Sequence, residues 1–336
     1  MEIKDLLFTL SALDGVGTIS DASDKAYEIL SKYAKTDRMS NLTVIGFLQG
    51  KANYTIMLDA HIDQIAFVVT DIDDNGFLTV SNSGGIDIRM LPSREVTVHG
   101  KKKISAVFCS TPPHLASGEV EYSDISNIKL DTLLGKKAKE IISVGDYVTF
   151  SVTPFEMGNL LCGRSFDDRA AVTCILELAK RLSGKKLPCN VAFVLSDGEE
   201  LGLRGIRTAS FKVNPNEAIA VDVSFGDGPD ISADDCGKLG KGGMIGISPS
   251  LDKRVSQKLI DIAKENNIPY QLEVMGSSTG INADMISVTR EGVKTTTLSI
   301  PLRNMHTEVE TLDIKDLYSV CDLLERYILS GGVGNA

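Results

Sequence analysis

The chain has 336 residues, of which 43% are hydrophobic and 24% charged, a balance typical of one large or two smaller globular domains. Its net charge of −10 argues against a nucleic-acid or anionic-membrane partner, because both present negative surfaces. No apolar run approaches the roughly 20 residues that span a bilayer, and the six cysteines lack CxxC spacing, which is typical of reduced core residues.

Helical periodicity appears first at the N-terminus and returns in four later segments. The start of the chain lacks a basic stretch followed by a long hydrophobic one, so we expect an amphipathic helix there and a cytoplasmic location. The later segments carry apolar residues at helical spacing next to capping residues. They are DASDKAYEILSKYAK, DDRAAVTCILELAKRLSG, DKRVSQKLIDIAKENN and DIKDLYSVCDLLERYIL.

Short β-branched runs lie between these helical segments. They are YTIMLDA, NVAFVLS, AIAVDVS and VKTTTLSI. Apolar strands that alternate with helices are typical of a sheet covered on both faces. The fold class predicted is therefore α/β, with a mostly parallel mixed sheet and helices on both of its faces.

Residues 73–158 have a different pattern, with glycine-separated strands and little helical periodicity. The predicted strands are GFLTVSNSGG, REVTVHG, KKISAVFCS, GEVEYS and GDYVTFSV. This pattern predicts a small antiparallel β-barrel domain. Because α/β patterning lies on both sides, we expect residues 73–158 to be inserted into a catalytic domain made of 1–72 and 159–336.

Acidic residues and histidines collect where the predicted strands end and where the helix after the insertion begins. Ligands of open α/β sheets gather at the carboxyl ends of the strands, so we expect these side chains at one edge. They are His61, Asp63, Asp167, Asp168, Asp197, Glu199, Glu200, Asp222 and His306.

So many carboxylates at one edge would repel each other unless a cation lay among them. Imidazole and carboxylate ligands without clustered cysteines suit Zn²⁺, Mn²⁺ or Co²⁺. Taken singly, His61 or His306 reads as a core or loop histidine, and Asp167 as a helix N-cap. The combination favours a metal site.

Several motifs resemble those of metallopeptidase family forty-two, the tetrahedral aminopeptidases, which include glutamyl, leucyl and deblocking enzymes. The motifs are AHIDQIAF, FDDRAAV, GEELGLRG, AVDVS and REGVKTTTLSIPLRNMHTEVE, and the resemblance extends over nearly the whole chain. It implies a dinuclear metal-dependent hydrolase that removes N-terminal residues from peptides. It also implies a β domain used in dimerisation and homo-oligomers from dimer to dodecamer.

The resemblance further implies roles for individual residues. Glu199 would be the general base that takes a proton from the metal-bridging water, and Asp63 would orient His61. Two divalent ions (Zn, Co or Mn) would be bound. His306 and Glu200 would hold one ion, His61 and Asp222 would hold the other, and Asp167 would bridge the two.

Two positions depart from the family pattern. Gln64 stands where Glu is usual, and Asn282 stands where Asp is usual. A non-catalytic or altered-specificity member acting in assembly or binding is therefore an alternative. A glycoside hydrolase is a second one, but its two carboxylates work without metal, which would leave His61 and His306 unexplained.

Overall fold

The computed structural model of the protein describes residues 1–115, 124–229 and 231–334. The chain divides into two compact units. The first consists of Met1–Asp63, Pro154–Met305 and Val309–Ala336, and the second of Gln64–Thr153 and His306–Glu308. The sequence predicted 73–158 for the β domain. The predicted strand GEVEYS (118–123) lies outside the described residues.

Helices form where apolar residues recur at helical spacing behind a capping side chain. In the second helix Ala22, Ala26 and Leu30 are buried, and Asp252 and Asp313 accept backbone N–H groups at the starts of two later helices. The helices of the described residues are α1 Ile3–Ser11, α2 Asp21–Leu30, α3 Ala138–Ile141, α4 Phe166–Leu182, α5 Arg204–Val213, α6 Lys253–Glu265, α7 Ala283–Ser287 and α8 Ile314–Ser330. None of these described helices has the length and apolar character needed to cross a bilayer.

The strands of the first unit form one large sheet and one small one. They are β1 Lys35–Arg38, β2 Val44–Leu48, β3 Ala52–His61, β10 Phe155–Met157, β11 Leu160–Gly163, β12 Cys189–Ser196, β13 Glu217–Phe225, β14 Gly243–Ile247, β15 Tyr270–Val274, β16 Lys294–Leu302 and β17 Glu310–Asp313. The large sheet has the order β1-β2-β12-β3-β13-β16-β14-β15, and the small one β10-β11-β17. Strands β12, β3, β13 and β16 run parallel to their neighbours within that group, whereas β14 pairs antiparallel with β16. The sheet is mixed, as predicted.

Helices cover both faces of the large sheet. Successive strand residues point to opposite sides, so each face carries apolar side chains that the helices bury. Leu58 and Val221 pack into the larger core with apolar residues of α1, α2, α4, α6 and α8. Met57 and Ala220 point to the other face and pack with residues of α5 and α7. The predicted α/β fold class is confirmed.

The second unit is a closed antiparallel barrel with its own core. Its strands are β4 Ala66–Ile72, β5 Leu78–Ser83, β6 Glu95–His99, β7 Lys103–Phe108, β8 Leu130–Asp131 and β9 Tyr147–Phe150, in the closed order β4-β5-β8-β7-β6-β9. Phe67 is fully buried in this core. Its ring makes edge contacts with Phe108 at 5.1 Å and Phe150 at 5.4 Å between centroids. The inserted barrel is confirmed.

Candidate metal centre

The strand register brings the predicted polar residues to one end of the sheet. His61 is the last residue of β3 and lies opposite Ser196, the last residue of β12. On the other side of β3, Asp59 lies opposite Ala220 of β13, two residues before Asp222. Because these strands are parallel, His61 and Asp222 point from neighbouring strands towards the same face.

His61 joins two groups of side chains whose donor atoms lie close enough to hold a metal ion. One group is His61, Asp168 and Asp222, and the other is His61, Asp167 and Glu200. Within each group the donor atoms lie within 4.8 Å of one another. The Nε2 atom of His61 lies 2.8 Å from Oδ1 of Asp167 and 3.9 Å from Oδ1 of Asp222. Four of the five predicted ligands are thus close together.

Asp63 lies beside His61 and also holds the turn that carries the two glutamates. Its Oδ1 atom is 3.4 Å from Nδ1 of His61. Its two carboxylate oxygens accept the backbone N–H groups of Glu199 at 3.0 Å and Glu200 at 3.2 Å. Asp63 therefore lies next to His61, as predicted, and the same carboxylate also holds the backbone of Glu199 and Glu200.

The start of α4 supplies two buried carboxylates from adjacent residues. The backbone N–H of Asp167 donates to Glu310 at 3.1 Å, and the Asp167–Asp168 peptide bond is cis. Asp168 accepts the backbone N–H of His61 at 3.2 Å and that of Ala171 at 3.2 Å. Asp168 was not among the predicted ligands. The sequence predicted Asp168 at this edge of the sheet together with Asp167, but it did not show which of the two adjacent aspartates could bind a metal ion.

The charges of these groups are strongly coupled. Burial raises the pKa of Asp168 and that of Asp222 well above the usual aspartate range, and neighbouring carboxylates raise both further. Burial alone would lower the pKa of His61, but hydrogen bonding to Asp167 and Asp63 outweighs it and raises that pKa. A buried set of one imidazole and several carboxylates fits a divalent cation, which would relieve the repulsion and accept both ligand types.

The glutamate turn itself is half-buried and closely packed. Burial, followed by the charge of Asp63, raises the pKa of Asp197 to about 7. Burial is also the main cause that raises the pKa of Glu199 to about 7. A carboxylate that titrates near neutral pH suits proton transfer. Gly205 is required here, because a Cβ atom at this position would lie 2.1 Å from the carbonyl oxygen of Asp197.

His306 belongs to the second unit. It lies beside Gly85, where an added Cβ atom would be 3.2 Å from Nδ1 of His306. Its neighbour Glu308 forms an ion pair with Arg94 of the barrel at 2.5 Å. Neither of the two ligand groups found among the described residues includes His306, so its role as a ligand stays a prediction.

Asn282, one of the two unusual residues, is buried against a residue of β3. Its Nδ2 atom donates to Oδ2 of Asp59 at 2.7 Å and to Oγ of Ser196 at 2.9 Å. Burial raises the pKa of Asp59 to about 7, although hydrogen bonds from Ser196 and Asn282 oppose the shift. Asp59 was not predicted as a site residue, because it lies inside an apolar strand and its partner Asn282 is distant in the sequence.

The chain is similar to known proteins in both sequence and fold. The sequence profile described as M42 glutamyl aminopeptidase matches residues 43–323. A lysyl aminopeptidase of Pyrococcus furiosus is 30% identical over 306 residues, which are 88% of this chain and 87% of that protein. An aminopeptidase structure from Desulfurococcus kamchatkensis is 29% identical with a TM-score of 0.91, covering 98% and 94% of the two chains. The TET1 peptidase of Pyrococcus horikoshii, described as able to assemble into a tetrahedron or a large octahedral shell, is 27% identical with a TM-score of 0.87 and coverage of 98% and 99%.

Proposed function

The chain belongs to the M42 glutamyl aminopeptidase family, a family of hydrolases, and from this premise we propose that it is a dinuclear metal-dependent aminopeptidase. The observation that carries the proposal is the pair of ligand groups that share His61. Together the two groups place four carboxylates beside one imidazole, which is more ligands and more negative charge than a single divalent ion needs. Peptides with a free N-terminus are the proposed substrates.

We propose that the ions, Zn²⁺, Co²⁺ or Mn²⁺, are held by the residues that the resemblance implied. These ligands are His61, Asp167, Glu200, Asp222 and His306. Asp168, which lies in one of the two groups, is an additional candidate. Two divalent ions would supply Lewis-acid chemistry that activates water and polarises a peptide carbonyl.

The proton transfers are assigned to Glu199. Its carboxylate has a pKa raised to about 7 by burial, so it can accept a proton from the attacking water and return one to the leaving amine. Asp63 acts as a positioning residue, because its carboxylate accepts the backbone N–H of Glu199 and lies 3.4 Å from Nδ1 of His61. A glycoside hydrolase would work without metal and would therefore give His61 no role as a ligand.

The first test removes the metal and the proposed base separately. Chelation is expected to abolish hydrolysis of aminoacyl-p-nitroanilides, and Zn²⁺, Co²⁺ or Mn²⁺ to restore it. Glu199→Gln is expected to keep its bound metal but to lower kcat by about 10²–10⁴-fold, since proton transfer in the transition state is lost. Asp167→Asn is expected to lose metal, measured by elemental analysis.

Glu265→Gln provides the matched control, because Glu265 is an exposed residue at the end of α6. It makes the same chemical change away from the site and should leave both metal content and kcat unchanged. Activity that survived complete metal removal would contradict the metal mechanism. A Glu199→Gln variant with most of the wild-type rate would contradict the base assignment.

We also propose a homo-oligomeric assembly, from dimer to dodecamer, and a cytoplasmic location. The assembly is supported by the TET1 relative, which is described as forming a tetrahedron or an octahedral shell. The predicted use of the β domain in dimerisation belongs to this proposal.

A further inference from the structure

A cavity of about 620 Å³ lies in the first unit at the end of the sheet that carries Asp222. Two of its wall residues, Ser224 and Phe225, close strand β13. Its apolar walls come from β13, β14, β15, the loop after β13 and the residue that follows β15: Phe225, Ile231, Met244, Leu272 and Met275. The cavity also contains carboxylates but, among the described residues, no Lys or Arg side chain lines it.

Glu273 of β15 is the carboxylate that is built into this cavity. It is half-buried, and two serine hydroxyls hold it in place. Ser299 of β16 donates to Oε2 at 2.7 Å, and Ser224 of β13 donates to Oε1. No cation among the described residues forms an ion pair with it. Its hydrogen bonds therefore fix the direction of the carboxylate without neutralising its charge.

The strand register connects Glu273 directly to the proposed metal centre. Ser299 lies opposite Asp222 in the parallel pairing of β13 and β16. Ser224 follows Asp222 by two residues on the same strand, so both point to the same face about 7 Å apart along the strand. The two serines that hold Glu273 are thus the cross-strand neighbour and the next same-face neighbour of a predicted ligand.

We propose that this cavity receives the side chain of the substrate's N-terminal residue and that Glu273 selects a basic one, lysine or arginine. The apolar walls accommodate the methylene stem of such a side chain, while the carboxylate pairs with its charged end. An acidic side chain would be repelled, and a neutral apolar one would leave the charge of the carboxylate without a cationic partner. This inference rests on the proposed aminopeptidase function and adds its specificity.

The test compares metal-loaded wild type with Glu273→Gln on lysyl- and leucyl-p-nitroanilide. The ratio of kcat/KM for lysine over leucine is expected to exceed about 10 in the wild type. This ratio should fall by about 10–100-fold in Glu273→Gln, because the charge partner of the lysine ammonium group is removed. The leucine rate should change by less than about threefold. Glu273→Asp keeps the charge and should retain more of the ratio than Glu273→Gln.

Glu265→Gln, which removes an exposed charge, should leave the lysine-to-leucine ratio unchanged. Thermal stabilisation by lysinamide and by norleucinamide, which differ by the side-chain ammonium group, measures binding in the cavity independently of hydrolysis. The wild type should be stabilised more by lysinamide, and Glu273→Gln equally by both. If no aminoacyl substrate is hydrolysed but this binding difference appears, the aminopeptidase proposal is wrong, while the selection of a basic side chain by Glu273 is supported. An unchanged lysine-to-leucine ratio of kcat/KM in Glu273→Gln, or equal stabilisation of the wild type by the two amides, would show that Glu273 does not select a basic side chain.

Discussion

At the scale of single residues, the glutamate pair Glu199–Glu200 shows how the fold gives adjacent residues separate surroundings. Both backbone N–H groups point to the carboxylate of Asp63. The side chain of Glu200 joins a ligand group, while that of Glu199 lies in surroundings that raise its pKa to about 7. The two like charges lie in one turn because that turn is anchored by a third residue, which follows a different strand.

Asn282 offers a sharp test of the buried polar contacts behind the site. In the metal-free protein, Asn282→Asp would place a second carboxyl against Asp59, which is 1% exposed. We expect a loss of about 2–4 kcal/mol of unfolding free energy at pH 8 and a smaller loss at pH 5.5. The pair's folded-state pKa lies above the unfolded value, so its stabilising protonated form is present at low pH and lost as pH rises. Urea denaturation at the two pH values measures the difference.

The exchanged double variant Asp59→Asn with Asn282→Asp is the control for this prediction. It restores one amide and one carboxyl at the same positions and should recover most of the stability. Equal losses at pH 5.5 and pH 8, or none at either, would show that the carboxyl pair is not the cause.

At the scale of elements, Glu217 joins three segments at the end of the sheet opposite to the candidate metal centre. This fully buried residue opens β13. It accepts hydrogen bonds from Tyr54 of β3 at 2.8 Å, from Tyr327 of α8 at 3.0 Å and from the backbone N–H of Val333 at 3.2 Å. The C-terminal helix and the residues after it are thereby fixed to the central strands.

Removal of one hydroxyl tests this junction. Tyr327→Phe preserves the ring but leaves Glu217 with one donor fewer, so we expect a loss of about 1–3 kcal/mol in unfolding free energy. Tyr318→Phe makes the same change on the same helix, where the side chain is 40% exposed, and should cost less than about 0.5 kcal/mol. Equal urea midpoints for the two variants would contradict the role of the buried hydroxyl.

At the scale of the whole molecule, the buried carboxylates couple stability to pH and to metal. In the metal-free protein the pKa values of Asp59, Asp197 and Glu199 are raised to about 7, mainly by burial. Groups with raised acid pKa values favour the folded state below the unfolded pKa, near 4, and this contribution is lost as pH rises towards 7. The stability of the metal-free protein should therefore fall across this window.

We expect the unfolding free energy in chelator to fall by an amount on the order of a few kcal/mol between pH 5 and pH 7.5. Zn²⁺ or Mn²⁺ should cancel most of this fall and raise the Tm with metal concentration, because cations bind the ionised carboxylates of the folded state only. Thermal scans across pH with and without metal measure both effects. A metal-free protein that became more stable over this range would contradict the prediction.

Periodicity and strand alternation determined the element types, the mixed α/β sheet and the inserted barrel, because they are local properties of the chain. The strand ends indicated His61, Glu200 and Asp222 as candidate site residues, and the start of a helix indicated Asp167, since parallel strands bring their carboxyl ends together. Sequence could not show that Asp59 meets Asn282, 223 residues away. Nor could it show that Ser224 and Ser299 hold Glu273, or that Asp168 lies in a ligand group with His61 and Asp222. These contacts depend on register and side-chain direction across distant strands, which only the folded chain fixes.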